Sequence, residues 1–168
     1  MPAGTLISVE EYLSTSYDPD CDYVDGEVLE RHVGERDHSK TQKKLILYFG
    51  NREGQLGIHV YPEQRVQVSR ARFRVPDVCV VIGAEPNEQI LTKPPFLCIE
   101  ILSPEDTMTR MQEKINDYLT FGVPHVWVMD PRLKSAYHFT SSGMREPKDG
   151  ILRTENPPIL VPLAEIFG

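Results

Sequence analysis

No apolar run in this 168-residue chain approaches the ~20 residues a helix needs to cross a bilayer. The opening MPAGTLISVEEYL has neither the basic start nor the long apolar stretch of a secretory leader, so a cytoplasmic home with no membrane partner is expected. Cysteine is scarce. Cys21, Cys79 and Cys98 are odd in number and lack the paired spacing of a zinc site, and Cys79 and Cys98 fall in apolar runs where a free thiol acts as a small hydrophobe. Basic charge is in deficit: 18 Lys and Arg face 25 Asp and Glu, a net −7. That balance counts against a protein that coats nucleic acid through its whole surface, while leaving room for a local basic patch. Internal repeats, low-complexity blocks, a Gly-rich phosphate loop, a nucleophile elbow and the HExxH zinc pattern are all missing. His59, His125 and His138 are scattered and read as structural.

What is present is a 40% hydrophobic, 26% charged composition, ordinary for a globular protein and sufficient for a single domain over residues 1–168. Its informative stretch is FLCIEILSPEDTMTRMQEKINDYLTFGVPHVWVMD, residues 96–130. Six of the seven residues 96–102 are apolar, the pattern of a strand covered on both faces. Glu100 is the exception, and an ionised carboxylate there is costly unless a cation, a metal or several donors compensate it. Asp77 sits in a second apolar strand, RFRVPDVCVVI. Pro76 cannot donate to a ladder, so it marks an edge, an end or a bulge that re-aims its neighbour Asp77. With a period of two, Asp77 shares a face with Cys79 and Val81, and Glu100 with Phe96, Cys98 and Leu102. The two acids meet if the register permits, and a divalent metal between them is the working expectation.

Around these strands the chain reads as follows. Residues 8–14 predict a short helix capped by Ser8, with Glu10 and Glu11 in its first turn. Residues 23–29 predict a hairpin turning at Asp25-Gly26, where Glu27 either faces a site or is simply solvated. A helix over residues 34–50 carries Glu35, His38, Gln42, Leu45 and Phe49 on one stripe, so His38 either points at a pocket mouth or is a hydrogen-bonded first-turn residue. Residues 64–76 hold Arg65, Arg70, Arg72 and Arg74 and no acid, either a basic patch or a solvated strand pair. A helix capped by Asp106 or Thr107 runs to about Phe121 and stops at Gly122. Its buried stripe is Met108, Met111, Ile115 and Leu119, with Lys114 beside it and four residues from Tyr118, where a long stem can cover apolar surface while the ammonium reaches out. Residues 125–130 and 136–140 predict a strand pair with Trp127 in the core. The polar tail, residues 141–158, reads as irregular and residues 159–167 as a closing helix.

The segments RVPDVCVV, CIEILSPEDT and QEKINDYLTFGVPHVWVMDP, in this order, resemble the Uma-type family of restriction-endonuclease-like proteins, a branch of the PD-(D/E)XK nuclease superfamily. The likeness runs from the hairpin YVDGEVLE through His38 to Asp130-Pro131. It implies an α/β (α+β) restriction-endonuclease-like fold, a mixed β-sheet flanked by helices, with Asp77 and Glu100 as the acid pair. In the superfamily pattern a lysine follows the second acid two residues later; Leu102 stands there, and the resemblance points instead to Lys114 on the next helix. Family members often carry an aspartate four residues before that lysine, where this chain has Arg110. Glu27 and His38 match an accessory glutamate and histidine.

The implied activity is magnesium- or manganese-dependent hydrolysis of phosphodiester bonds in nucleic acid, with DNA expected. Magnesium prefers oxygen ligands, so Asp77, Glu100 and the Ile101 carbonyl form the expected half-shell, with Lys114 offsetting charge on the phosphate. Arg70, Arg72 and Arg74 would hold the backbone, and a homodimer is the expectation for cutting both strands. Two other readings stay open: a noncatalytic nucleic-acid- or protein-binding module on the same fold, and a hydrolase of a small phosphorylated compound.

Overall fold

A computed structural model describes residues 5–168; the first four residues of the opening segment lie outside the described part. Three sheets and five helices are formed there, with α1 (Val9–Ser14), α2 (Arg36–Gly50), α3 (Glu53–Leu56), α4 (Met108–Phe121) and α5 (Leu163–Phe167). The main sheet has the order β10-β9-β8-β7-β6-β3, built from β3 (Ile58–Pro62), β6 (Val78–Ile82), β7 (Leu97–Ile101), β8 (His125–Asp130), β9 (Ser135–Thr140) and β10 (Gly143–Arg145). All its neighbours are antiparallel except β7 and β8, which run parallel with α4 as their crossover. The expected mixed sheet flanked by helices is thus what forms.

Every residue of β7 is buried, as its near-continuous apolar run requires. Its Leu97, Ile99 and Ile101 side pack with Val78, Val80, Trp127 and, from α2, Leu45 and Phe49. The opposite side puts Cys98 with Cys79, Val126 and, from α4, Met111, Ile115 and Tyr118. Glu100, by alternation, belongs to the α4 side. α4 starts where Thr107 accepts the Arg110 amide at 3.2 Å, and Asp106 instead accepts the amide of Ser103 at 2.8 Å. It ends at Gly122, whose φ of +113° and approach to Pro94 suit glycine alone.

A second sheet, β2-β1-β5-β4, holds β1 (Asp22–Val24), β2 (Glu27–Leu29), β4 (Val66–Ser69) and β5 (Arg72–Arg74). Its β1–β2 turn is the expected Asp25-Gly26 hairpin, with φ of 50° and 99°. The sequence suggested one strand over residues 73–82, and here the structure differs. β5 and β6 lie in different sheets, and the chain changes sheets through Val75, Pro76 and Asp77. A proline at the end of pairing explains the switch, since no ladder donor is lost there. The tail is also more ordered than expected: β11 (Ile151–Arg153) and β12 (Leu160–Pro162) pair as a hairpin before α5, burying Leu152, Ile159 and Val161 against the main core. Among the described residues no helix is long and apolar enough to cross a membrane.

Candidate active site

Asp77 and Glu100 do meet. Val78 pairs with Ile99 and Cys79 with Cys98, so one step back along the antiparallel ladder sets Asp77 opposite Glu100. The Ile101 amide seals the arrangement by donating to Asp77 Oδ2 at 2.7 Å. On the α4 side, Tyr118 Oη donates to Glu100 Oε1 at 2.6 Å, and Lys114 Nζ lies 3.7 Å from Glu100 Oε2. Lys114 and Tyr118 are one helical turn apart, which is why both reach the same carboxylate. Lys114 also lies 3.6 Å from Asp22 Oδ2 on β1. Asp22 is a buried acid that ties β1 to β5 and to the connector after it, accepting Arg74 Nη1 at 3.1 Å and the Val75 amide at 3.0 Å.

Asp77 is already occupied. Arg31 Nη2 donates to its Oδ1 at 2.8 Å, and His38 Nε2 lies 3.3 Å from the same oxygen. Asp77 is 3% and Glu100 2% exposed, and the Arg31 side chain is 3% exposed. Three buried acids, Asp22, Asp77 and Glu100, therefore sit among two buried arginines, Arg31 and Arg74, and the partly buried Lys114. Burial alone would raise the pKa of Asp77, but the hydrogen bond and charge of His38, then Arg31 and the Ile101 amide, hold it below the usual carboxylate range. Burial pushes Glu100 up to about 7; Asp77 and Asp22 add to that, while Lys114 and the Tyr118 hydroxyl oppose it. For His38, burial works downward and is outweighed by the bond to Asp77, leaving it raised. Lys114 is likewise raised, burial being outweighed by Glu100, Asp22 and Asp77, so it stays an ammonium beside a carboxyl that titrates near neutrality.

Of the residues expected here, Asp77, Glu100, Lys114 and His38 converge. Ile101 contributes its amide, in contact with Asp77, at the position where a carbonyl ligand was expected. Glu27 does not reach the cluster: it is exposed at the turn end of β2, and the hairpin-side residue that arrives is Arg31. Two of the three expected phosphate-binding arginines need correction. Arg74, 2% exposed, is bound by Asp22 and by Asp117 at 2.8 Å, and Arg72 by Asp117 at 2.7 Å and Asp25 at 2.8 Å. Their partners lie more than forty positions away along the chain, which is why the acid-free stretch looked unpaired. Arg70 alone is exposed. Arg31, Asp22 and Tyr118 are the residues sequence reasoning missed, and only Tyr118, four residues from Lys114 on the same helix, carried a local signal.

Two facing carboxylates supply the oxygen chemistry that a hard dication takes. As folded, however, the positive charge they call for comes from Arg31 and Lys114, and among the described residues no group of three or more His, Cys, Asp or Glu is disposed to hold a metal ion. The pair fits a divalent cation only if Arg31 leaves. A cavity of about 180 Å3 reaches the cluster through His38. Glu35, Asp37, Asp106 and Asp130 line it against the single guanidinium of Arg132, and Asp77, Glu100 and Lys114 are not in its wall.

A family model named Uma2 and described as "Putative restriction endonuclease" matches residues 9–164. Among solved structures, a protein from Anabaena variabilis described as a putative nuclease superposes with a TM-score of 0.82 at 21% identity, covering 96% of this chain and 97% of that one. At that identity the likeness speaks for the fold. No curated protein matches the chain.

Proposed function

We propose, on the premise that this chain belongs to the Uma2 family of putative restriction endonucleases, that it hydrolyses phosphodiester bonds in nucleic acid, DNA foremost, at the Asp77–Glu100–Lys114 cluster. The observation that carries this reading is the convergence of Asp77, the residue just before β6, on Glu100 of the neighbouring β7, with the Lys114 ammonium 3.7 Å from Glu100. Nothing in a structural core asks for two acids side by side, whereas phosphoryl transfer uses such groups to place a nucleophile and balance charge. Glu100, raised to about 7 by burial in the metal-free cluster, would be drawn to its ionised form by a bound dication and serve as a ligand to it. Lys114 would offset negative charge growing on the phosphate. A magnesium or manganese ion, when bound, would lower the pKa of a water and polarise the phosphate, with Asp77 and Glu100 holding it in place of Arg31.

Substrate must also reach two nearly sealed carboxylates. Arg31 lies on the irregular connector between β2 and α2, which is held shut by Ser103 Oγ donating to the His32 carbonyl at 2.7 Å. Opening that connector would both free Asp77 and expose the pair. Arg70 is then the remaining arginine of its stretch free to contact a phosphate, and a homodimer would bring two such centres to a duplex.

The Arg31–Asp77 ion pair also favours a second reading, a noncatalytic nucleic-acid- or protein-binding module. Incubating the purified protein with plasmid, single-stranded DNA and RNA, in magnesium, manganese or chelator, separates the two. Cutting of at least one polymer that disappears in Asp77→Asn is the expected result. An intact set of substrates under every cation would leave the noncatalytic module.

A further inference from the structure

We infer that Arg31 and a divalent cation are mutually exclusive occupants of the Asp77–Glu100 pair, so that Arg31 is the residue that sets this site's affinity for metal. The inference rests on the acid pair being the functional centre, and it concerns what fills that centre.

The guanidinium occupies an oxygen of Asp77 that a shared cation would need. It donates to Asp77 at 2.8 Å from a side chain 3% exposed. Its negative surroundings are Asp77, Glu100, Asp22 and Glu63, in that order of influence. It therefore answers to both members of the pair, though it bonds only one. With Arg31 in place, Asp22, Asp77 and Glu100 already face Arg31, Arg74, Lys114 and His38, and a dication would add uncompensated charge to a nearly dry cluster, which is strongly unfavourable. With Arg31 gone, Asp77 loses its permanently charged partner while His38 and the Ile101 amide still orient it, and an incoming dication restores the attraction. Arg31 also belongs to a connector, with no ladder of its own, and its other side-chain contacts are long: Asp20 carbonyl at 3.4 Å and Glu63 at 3.5 Å. The group that competes with metal is thus carried on an irregular connector rather than on a strand or helix.

Manganese binding, followed by calorimetry and by the loss of free Mn2+ signal in electron paramagnetic resonance, tests this on the full chain. Wild type should bind Mn2+ no tighter than about millimolar, and Arg31→Met at least about tenfold tighter. The double variant Arg31→Met/Glu100→Gln should fall back to the wild-type value. Arg31→Gln, which keeps a donor for Asp77, substitutes if the methionine variant does not fold. Arg31→Lys, which keeps the charge, should stay near wild type. A folded Arg31→Met or Arg31→Gln with no gain overturns the inference. So does tight binding by wild type that Glu100→Gln abolishes. Cleavage measured on the same samples keeps the two claims apart: metal gained without cutting removes the hydrolytic reading alone, and cutting by wild type with no gain in the variants removes the Arg31 inference alone.

Discussion

Glu100→Gln should lose cleavage by about 10²–10⁴-fold, since it removes one of the two carboxylates that would hold the cation and its water, and should also change the pH dependence of folding in a direction fixed by burial. The Glu100 carboxyl is raised from an ordinary 4.5 to about 7 in the folded protein. Between those values the unfolded chain has released a proton that the folded chain still holds, so stability falls as pH rises through this interval. Below about 4.5 this contribution is fully present, and above 7 it is gone. His38, raised by Asp77, pulls the same way once pH passes its ordinary value. His138, lowered to about 4 chiefly by burial, runs in the opposite direction, since it binds its proton more readily when unfolded. The wild-type profile is therefore a partial cancellation, and the difference between wild type and Glu100→Gln isolates the carboxyl. That difference should grow in favour of the glutamine variant by on the order of 3 kcal/mol as pH rises from 4.5 to 7. Urea unfolding at a series of pH values measures it, and a pH-independent difference would mean that Glu100 titrates as an ordinary surface acid.

Asp77→Ala should unfold more easily by about 3–5 kcal/mol, the cost of leaving a buried charge without its partner. The stranded group is Arg31, with a side chain 3% exposed, and the alanine also deprives His38 and the Ile101 amide of their acceptor. Removing both charges is a different case. Arg31→Met/Asp77→Leu replaces an ion pair by apolar groups of similar size, which cores tolerate well, so most of the single-variant loss should return. Measured with the single variants Arg31→Met and Asp77→Leu, the double-mutant cycle should then give a coupling of about 2–3 kcal/mol. Additive losses, each variant costing the same with or without the other, would show that Arg31 and Asp77 are not paired in solution.

How much of this could be read from the chain beforehand follows from which signals are local. Glu100 and Asp77 announced themselves as acids in apolar strands, and period-two alternation put each on a definite face. Their register needed the pairing of Val78 with Ile99, which no local pattern encodes. Lys114 was legible because helical spacing set it beside the buried stripe of α4. Arg31 was not. It follows a hairpin among other charged residues, and its partner Asp77 is 46 positions away, so nothing nearby marks it as buried. The same distance problem concealed the pairing of Arg72 and Arg74 with Asp117, and a run of arginines without local acids passed for a patch open to phosphate. Pro76 correctly flagged an irregularity. Nothing local says that the irregularity moves the chain from one sheet to the other, where the Val75 amide is received by the distant Asp22 carboxylate.

The most direct measurement is anomalous diffraction from crystals of Arg31→Met soaked in manganese. A peak lying between the carboxylates of Asp77 and Glu100 is the predicted result. Density confined to the acidic mouth lined by Glu35, Asp37, Asp106 and Asp130, or no peak within reach of both buried acids, would contradict the assignment of those two residues as one cation-holding pair.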